Sequence, residues 1–178
     1  MSYYDSSLQH HGILGQKWGV RRFQNPDGSL TSKGQKRYNQ VEKASKYMQG
    51  EAKRAKGNAE DYEKSTEYTR KRYSGEKGTV NYLNDMYGSD WKDKKYMKDV
   101  YEIDDVMKEG RRAADKEIKD TEVFNKKMVE SYRKDAEKWM ARSKEVMNTP
   151  LSELSKNDMK EIKKYAKKQE KYEKRHEG

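Results

Sequence analysis

The stretch YNQVEKASKYMQGEAKRAKGNAEDYEKSTEYTRKRY, residues 38–73, decides the fold class. Within it Tyr38, Ser45, Ala52, Ala59, Thr66 and Tyr73 recur every seventh residue, and Val41, Met48, Ala55, Tyr62 and Thr69 follow three behind. Steps of three and four alternate through the two series, so both fall on one face of a helix. The pattern predicts a long helix over about residues 32–73. Its seam is thin, because Ala, Ser and Thr bury little area at about 25 cal/mol per Å². Small seam residues let a second helix come close. A tightly packed partner helix is therefore expected, and with it a homo-oligomer formed through this face.

The composition fits a chain that buries seams more than a broad core. Of 178 residues, 31% are hydrophobic and 40% charged, against about 45–50% and about 25% in ordinary globular domains. Much of the apolar material is Tyr (14) and Met (9). With two Pro and long runs of good helix formers, extended helices are favoured over disorder. The absence of Cys removes disulfides, thiolate metal sites and Cys nucleophiles. No apolar run approaches about 18 residues, and the first residues lack the basic-then-apolar form of a signal peptide. The expected location is a cytoplasm or the inside of a particle, with no membrane partner. The net charge of +10 suits a polyanion or an acidic partner. The excess is nevertheless spread along the chain, and residues 76–110 hold nine acidic against six basic residues.

Outward from the heptad, Thr31 is placed to cap the long helix, and Ser74-Gly75-Glu76-Lys77-Gly78 breaks it. Residues 79–102 carry Val80, Tyr82, Leu83, Met86, Tyr87, Trp91, Tyr96, Met97, Val100 and Tyr101. This section reads as two short helices separated at Gly88, with Ser89 or Asp90 as the second N-cap, and as the best candidate for a compact core. A second long helix is expected over about 103–148, with a stripe at Phe124, Met128, Tyr132, Ala136, Trp139 and Val146. The last helix, about 150–175, is expected to open at Thr149-Pro150, with Ser155–Asp158 as another start. It carries Met159, Ile162, Tyr165, Ala166, Gln169 and Tyr172. The expected fold is all-α: an elongated helical bundle or coiled-coil-like long helices over residues 32–178. Residues 1–31 form an arm and a docking segment ahead of it.

That segment differs from everything after it. His10-His11-Gly12-Ile13-Leu14-Gly15-Gln16-Lys17-Trp18-Gly19-Val20-Arg21-Arg22 is too rich in Gly for a regular helix. It reads as a compact loop or short hairpin, followed by a turn at Pro26-Asp27-Gly28. His10 and His11 invite a metal or acid/base reading. Adjacent residues of an extended segment point to opposite sides, however, and no carboxylate stands at ligand spacing, so structural or partner-contacting roles are preferred. Lys17, Arg21 and Arg22 flank Trp18 and Phe23. Basic residues interleaved with aromatics suit nucleic acid and equally an acidic protein groove. A Trp buried under its own helices remains a third reading. Asp99, Glu102, Asp104 and Asp105 lack the spacing of a calcium loop and read as a solvated acidic face. No serine-hydrolase, phosphate-loop or zinc-protease signature occurs, and neither an enzyme nor a cofactor is expected.

The run His11–Arg22, with the following Asn25-Pro26-Asp27-Gly28-Ser29-Leu30-Thr31, resembles a segment of phage and prophage proteins of Gram-positive bacteria. In these it has the form His-x-Gly-x-x-Gly-x-Lys-Trp-Gly-x-Arg-Arg, on small uncharacterised proteins and at the ends of longer head-module proteins. Gln16 stands where that group has Met. The likeness covers residues 10–31 and implies phage origin, and a module shared by varied proteins implies docking. The leading expectation is a non-enzymatic phage protein that binds a phage or host component, with a virion or head role preferred. Its partner-binding residues would be His10, His11, Gly12, Gly15, Lys17, Trp18, Gly19, Arg21, Arg22 and Phe23. The alternatives are an inhibitor of a host defence system and a nucleic-acid-binding accessory protein.

Overall fold

The computed structural model describes residues 22–25 and 27–176. The fold is all-α, built from α1 (Ser32–Tyr73), α2 (Gly75–Tyr87), α3 (Lys94–Tyr101), α4 (Val106–Asn148) and α5 (Lys156–His176). A single 3-10 turn, Asp90–Lys92, lies between α2 and α3. The only β pairing among the described residues is one isolated antiparallel bridge, Gln24 to Leu30. No helix of the described chain is long and apolar enough to cross a membrane.

The heptad forms one continuous helix, and every position of its two series is buried or half-buried. The chain divides into two compact units, residues 1–55 with 135–178, and residues 56–134. In the first, the core is Val41, Ala44, Met48, Val146, Leu151, Leu154, Met159 and Ile162. Ser45 and Ser143 meet inside it at 2.8 Å. The partner helices expected for the seam are thus α4 and α5 of the same chain.

In the second unit, Leu83, Met97 and Val106 are buried together. The seam of α1 is closed here by Asn125, whose Nδ2 donates to the Tyr62 carbonyl (3.2 Å) and to Thr66 Oγ1 (2.9 Å). Phe124, expected on the buried stripe, is 57% exposed and meets the Tyr62 ring edge-on. The expected core over 79–102 is correspondingly small, since Met86, Tyr96, Val100 and Tyr101 are all exposed. Helices of 13 and 8 residues offer few positions at one azimuth, so one apolar residue on each reaches the core.

Helix ends follow the capping chemistry with some corrections. Thr31 caps α1 as expected, its Oγ1 accepting from the Gly34 N–H at 3.1 Å. The break after Tyr73 is one residue, Ser74, because Gly75 takes φ +70° and α2 starts there. Gly88 ends α2 at φ +62°. Asp93, not Ser89 or Asp90, caps α3 through the Lys95 and Tyr96 N–H groups. Thr149 does not open the last helix. Its N–H and Oγ1 both donate back to the Glu145 carbonyl (3.0 and 2.7 Å), which ends α4. The start is at Ser155, whose Oγ accepts from the Asp158 N–H (3.1 Å) while Asp158 Oδ2 accepts from the Ser155 N–H (3.0 Å).

Candidate functional site

Residues 23–31 fold back on themselves through bonds their sequence supplies. The Asn25 N–H donates to the Ser29 carbonyl (2.7 Å), the Gly28 N–H to the Asn25 carbonyl (3.0 Å) and the Thr31 N–H to the Phe23 carbonyl (3.0 Å). Asp27 Oδ1 accepts from the N–H and the hydroxyl of Ser29 (2.9 and 2.7 Å). These bonds favour the ionised carboxyl and lower its pKa. Gly28 sits at φ +87°, where a side chain would be strained. The expected turn is therefore present, and it is fastened to α1. Thr31 Oγ1 donates to the Arg22 carbonyl (3.3 Å) while capping the helix. At Gly34 the two backbones touch, for a Cβ there would lie 2.1 Å from the Phe23 oxygen.

Phe23 packs against the core of the first unit. The Arg37 guanidinium covers its ring at 4.7 Å, and Arg37 Nη2 donates to the Leu154 carbonyl at 2.7 Å. Arg37 Nε is buried without an acceptor. Burial, and then the charge of Arg22, push the pKa of Arg37 down from its ordinary value.

A cleft of about 610 Å³ opens beside this contact, lined by Phe23, Leu154 and Met159 together with Lys33, Lys36, Arg37, Lys156, Lys160 and Lys163. No carboxylate lines it. None of the five lysines has an ion-pair partner among the described residues. The carboxylates of α5 nearest in sequence are used elsewhere. Arg142 of α4 takes Asp158 through Nη2 (2.7 Å) and Glu161 through Nε (3.0 Å). Arg142 is held above its ordinary pKa by these bonds, and Asp158 is lowered to about 2, chiefly by Arg142. A second groove of about 430 Å³ in the same unit is lined by Lys46, Tyr47, Gly50, Lys53, Arg54, Gln169 and Tyr172.

Of the residues expected to bind a partner, Arg22 and Phe23 are brought together here, with Arg22 6.0 Å from the Phe23 ring. His10, His11, Gly12, Gly15, Lys17, Trp18, Gly19 and Arg21 lie outside the described residues. The six cations of the cleft were missed by reading the sequence. Lys156, Lys160 and Lys163 do stand at steps of four and three, which marks one helical face. In a chain with 41 Lys and Arg that signal is common, and only the empty counter-charge side distinguishes it. The acidic residues 99–105 have local duties: Asp105 caps α4 through the Lys108 N–H (3.1 Å), Asp104 pairs with Lys98 (2.9 Å), and Glu102 ends α3 in the left-handed region. Among the described residues no three His, Asp or Glu side chains gather to hold a metal. No protein-family model, curated protein or solved structure matches the chain.

Proposed function

We propose that the chain is a non-enzymatic phage protein that docks onto another phage or host component through residues 10–31, with the helices as its carrier. A head or virion role is the preferred form, and the sites of action are the particle and the host cytoplasm. The observation that carries the reading is the fastening of the 23–31 turn to α1 by Thr31, Gly34 and Phe23. A docking segment gains affinity when its base is fixed before binding, because less ordering entropy is lost on association. The Arg22 carbonyl is held at that base by the Thr31 hydroxyl. Trp18 is the anchor in this account, being the residue of the segment with the most area to bury.

The test uses the tagged full chain against lysate of infected cells. Recovery of capsid or portal proteins, with loss of that recovery in Trp18→Ala at unchanged helicity, is the expected result. Mass spectrometry of purified particles checks the virion form. Stoichiometric capture of a host protein instead would favour the inhibitor reading. Unfolding of the helices by Trp18→Ala would make the segment part of the core and end the docking account.

A further inference from the structure

We propose that the basic cleft between α1 and α5 binds single-stranded nucleic acid by its phosphate backbone. The inference rests on the cations of α1 and α5 and shares only Phe23 with the docking segment. One wall is Lys33, Lys36 and Arg37, from the first turns of α1, and the other is Lys156, Lys160 and Lys163, from the first turns of α5. Helix N-termini add positive potential to that of the side chains. Two facing rows of cations with no anion between them repel one another, and a chain of phosphates relieves that repulsion along its length.

Chemistry favours phosphate over an acidic peptide. Five of the six cations are lysines, which bind phosphate as point charges, whereas planar carboxylates are best matched by bidentate arginine. The one arginine is already engaged, with Nη2 on the Leu154 carbonyl and its plane against Phe23. Phe23 and Met159 add apolar and aromatic surface to the cleft lining, and bases stack on aromatic rings. From Lys156 to Lys163 is seven helical steps, about 10 Å, long enough for one face of α5 to meet more than one phosphate of a strand. A volume of about 610 Å³ takes a nucleotide or two and not the width of a duplex.

The experiment is fluorescence anisotropy of a labelled oligothymidylate of about ten nucleotides with the full chain, across a salt series. Single strands release roughly 0.7 counterion per phosphate contact. Each lysine removed should therefore flatten the slope of log affinity against log salt by about 0.7. Lys160→Ala/Lys163→Ala and Lys33→Ala/Lys36→Ala should each flatten it by about 1.4 and weaken binding at least tenfold at about 50 mM salt. Lys116→Ala/Lys119→Ala, which removes the same charge from exposed α4 positions of the other unit, should change affinity less than twofold. Trp18→Ala should leave strand binding intact even where it abolishes partner docking. Four outcomes overturn the proposal: no binding of the strand, equal loss in the Lys116/Lys119 control, loss in Trp18→Ala, or tighter binding of an oligoglutamate of the same charge. The last would make the cleft an acidic-peptide site.

Discussion

Gly34→Ala tests whether the 23–31 turn is clamped. The new Cβ would lie 2.1 Å from the Phe23 oxygen and 3.0 Å from its carbonyl carbon. Real Cβ atoms do not come within about 3.0 Å, so the carbonyl has to retreat by about 0.9 Å. That oxygen accepts the Thr31 N–H at 3.0 Å. Thr31 in turn caps Gly34 and donates to the Arg22 carbonyl, so the displacement reaches all three bonds. A net hydrogen bond is worth about 1 kcal/mol and an N-cap about 1 kcal/mol more. Against this, Ala in a helix gains up to about 1 kcal/mol over Gly. The closure of the turn should weaken by about 1–2 kcal/mol, a factor of about 5–30 in the ratio of open to closed. Backbone amide exchange reads this directly: the Thr31 amide should exchange faster by that factor while the amides of Val41 and Met48 keep their protection. Docking should fall by a similar factor, because the segment then loses its fixed base. Unchanged protection at Thr31 would refute the clamp, and with it the structural support for presentation of residues 10–22.

Gly50 and Gly57 lie inside α1 with nothing within 4 Å of an added Cβ. Gly50→Ala and Gly57→Ala should each raise stability to urea by about 0.5–1 kcal/mol, and a loss at either position would show a close approach that the structure does not contain. The acid limb of stability should involve Asp158, whose folded pKa of about 2 is depressed from the ordinary 3.8. A depressed carboxyl contributes stability above its unfolded pKa and loses it as pH falls through the folded one. Thermal melts should accordingly decline between about pH 4 and about pH 2, and Asp158→Asn should flatten that decline while lowering the melting temperature at pH 7. A slope unaffected by the substitution would remove the Arg142–Asp158 pair from the account.

The parts of the fold legible in the sequence are those where a periodicity runs long. The heptad announced α1 to the residue, and Met159, Ile162 and Ala166 announced the buried face of α5. Short elements were less legible. The aromatic run over 79–102 looked like a core because it was dense, yet density without repeated azimuth leaves Met86, Val100 and Tyr101 outside. Thr149-Pro150 carried the signature of a helix start, and the Thr149 hydroxyl went the other way, back to Glu145. The choice lies between accepting an N–H ahead of it and donating to a carbonyl behind it, and it leaves no trace in composition. The cleft was illegible for a different reason. Its walls come from opposite ends of the chain, and what marks it is the diversion of Asp158 and Glu161 to Arg142, a tertiary event.

The polar residues of the α1 seam decide which partner that seam accepts. Ser45 is buried against Ser143, and Gln49 Nε2 donates to both hydroxyls (3.1 and 3.3 Å). In the other unit Asn125 answers Thr66 and the Tyr62 carbonyl. A second copy approaching the same face would have to displace α4 and leave these groups unpaired, at about 1–3 kcal/mol for each buried orphan. Apolar gain cannot offset that, since the positions between them are largely Ala, with small areas to bury. The seam is therefore specific to its own chain, which a purely apolar heptad would not be. In the first unit the cleft beside Phe23 is lined by five lysines and an arginine with no carboxylate among them. The segment proposed to dock leads into the end of α1 that lines the cleft, so helices whose polar seam groups are paired internally leave both proposed sites open to partners.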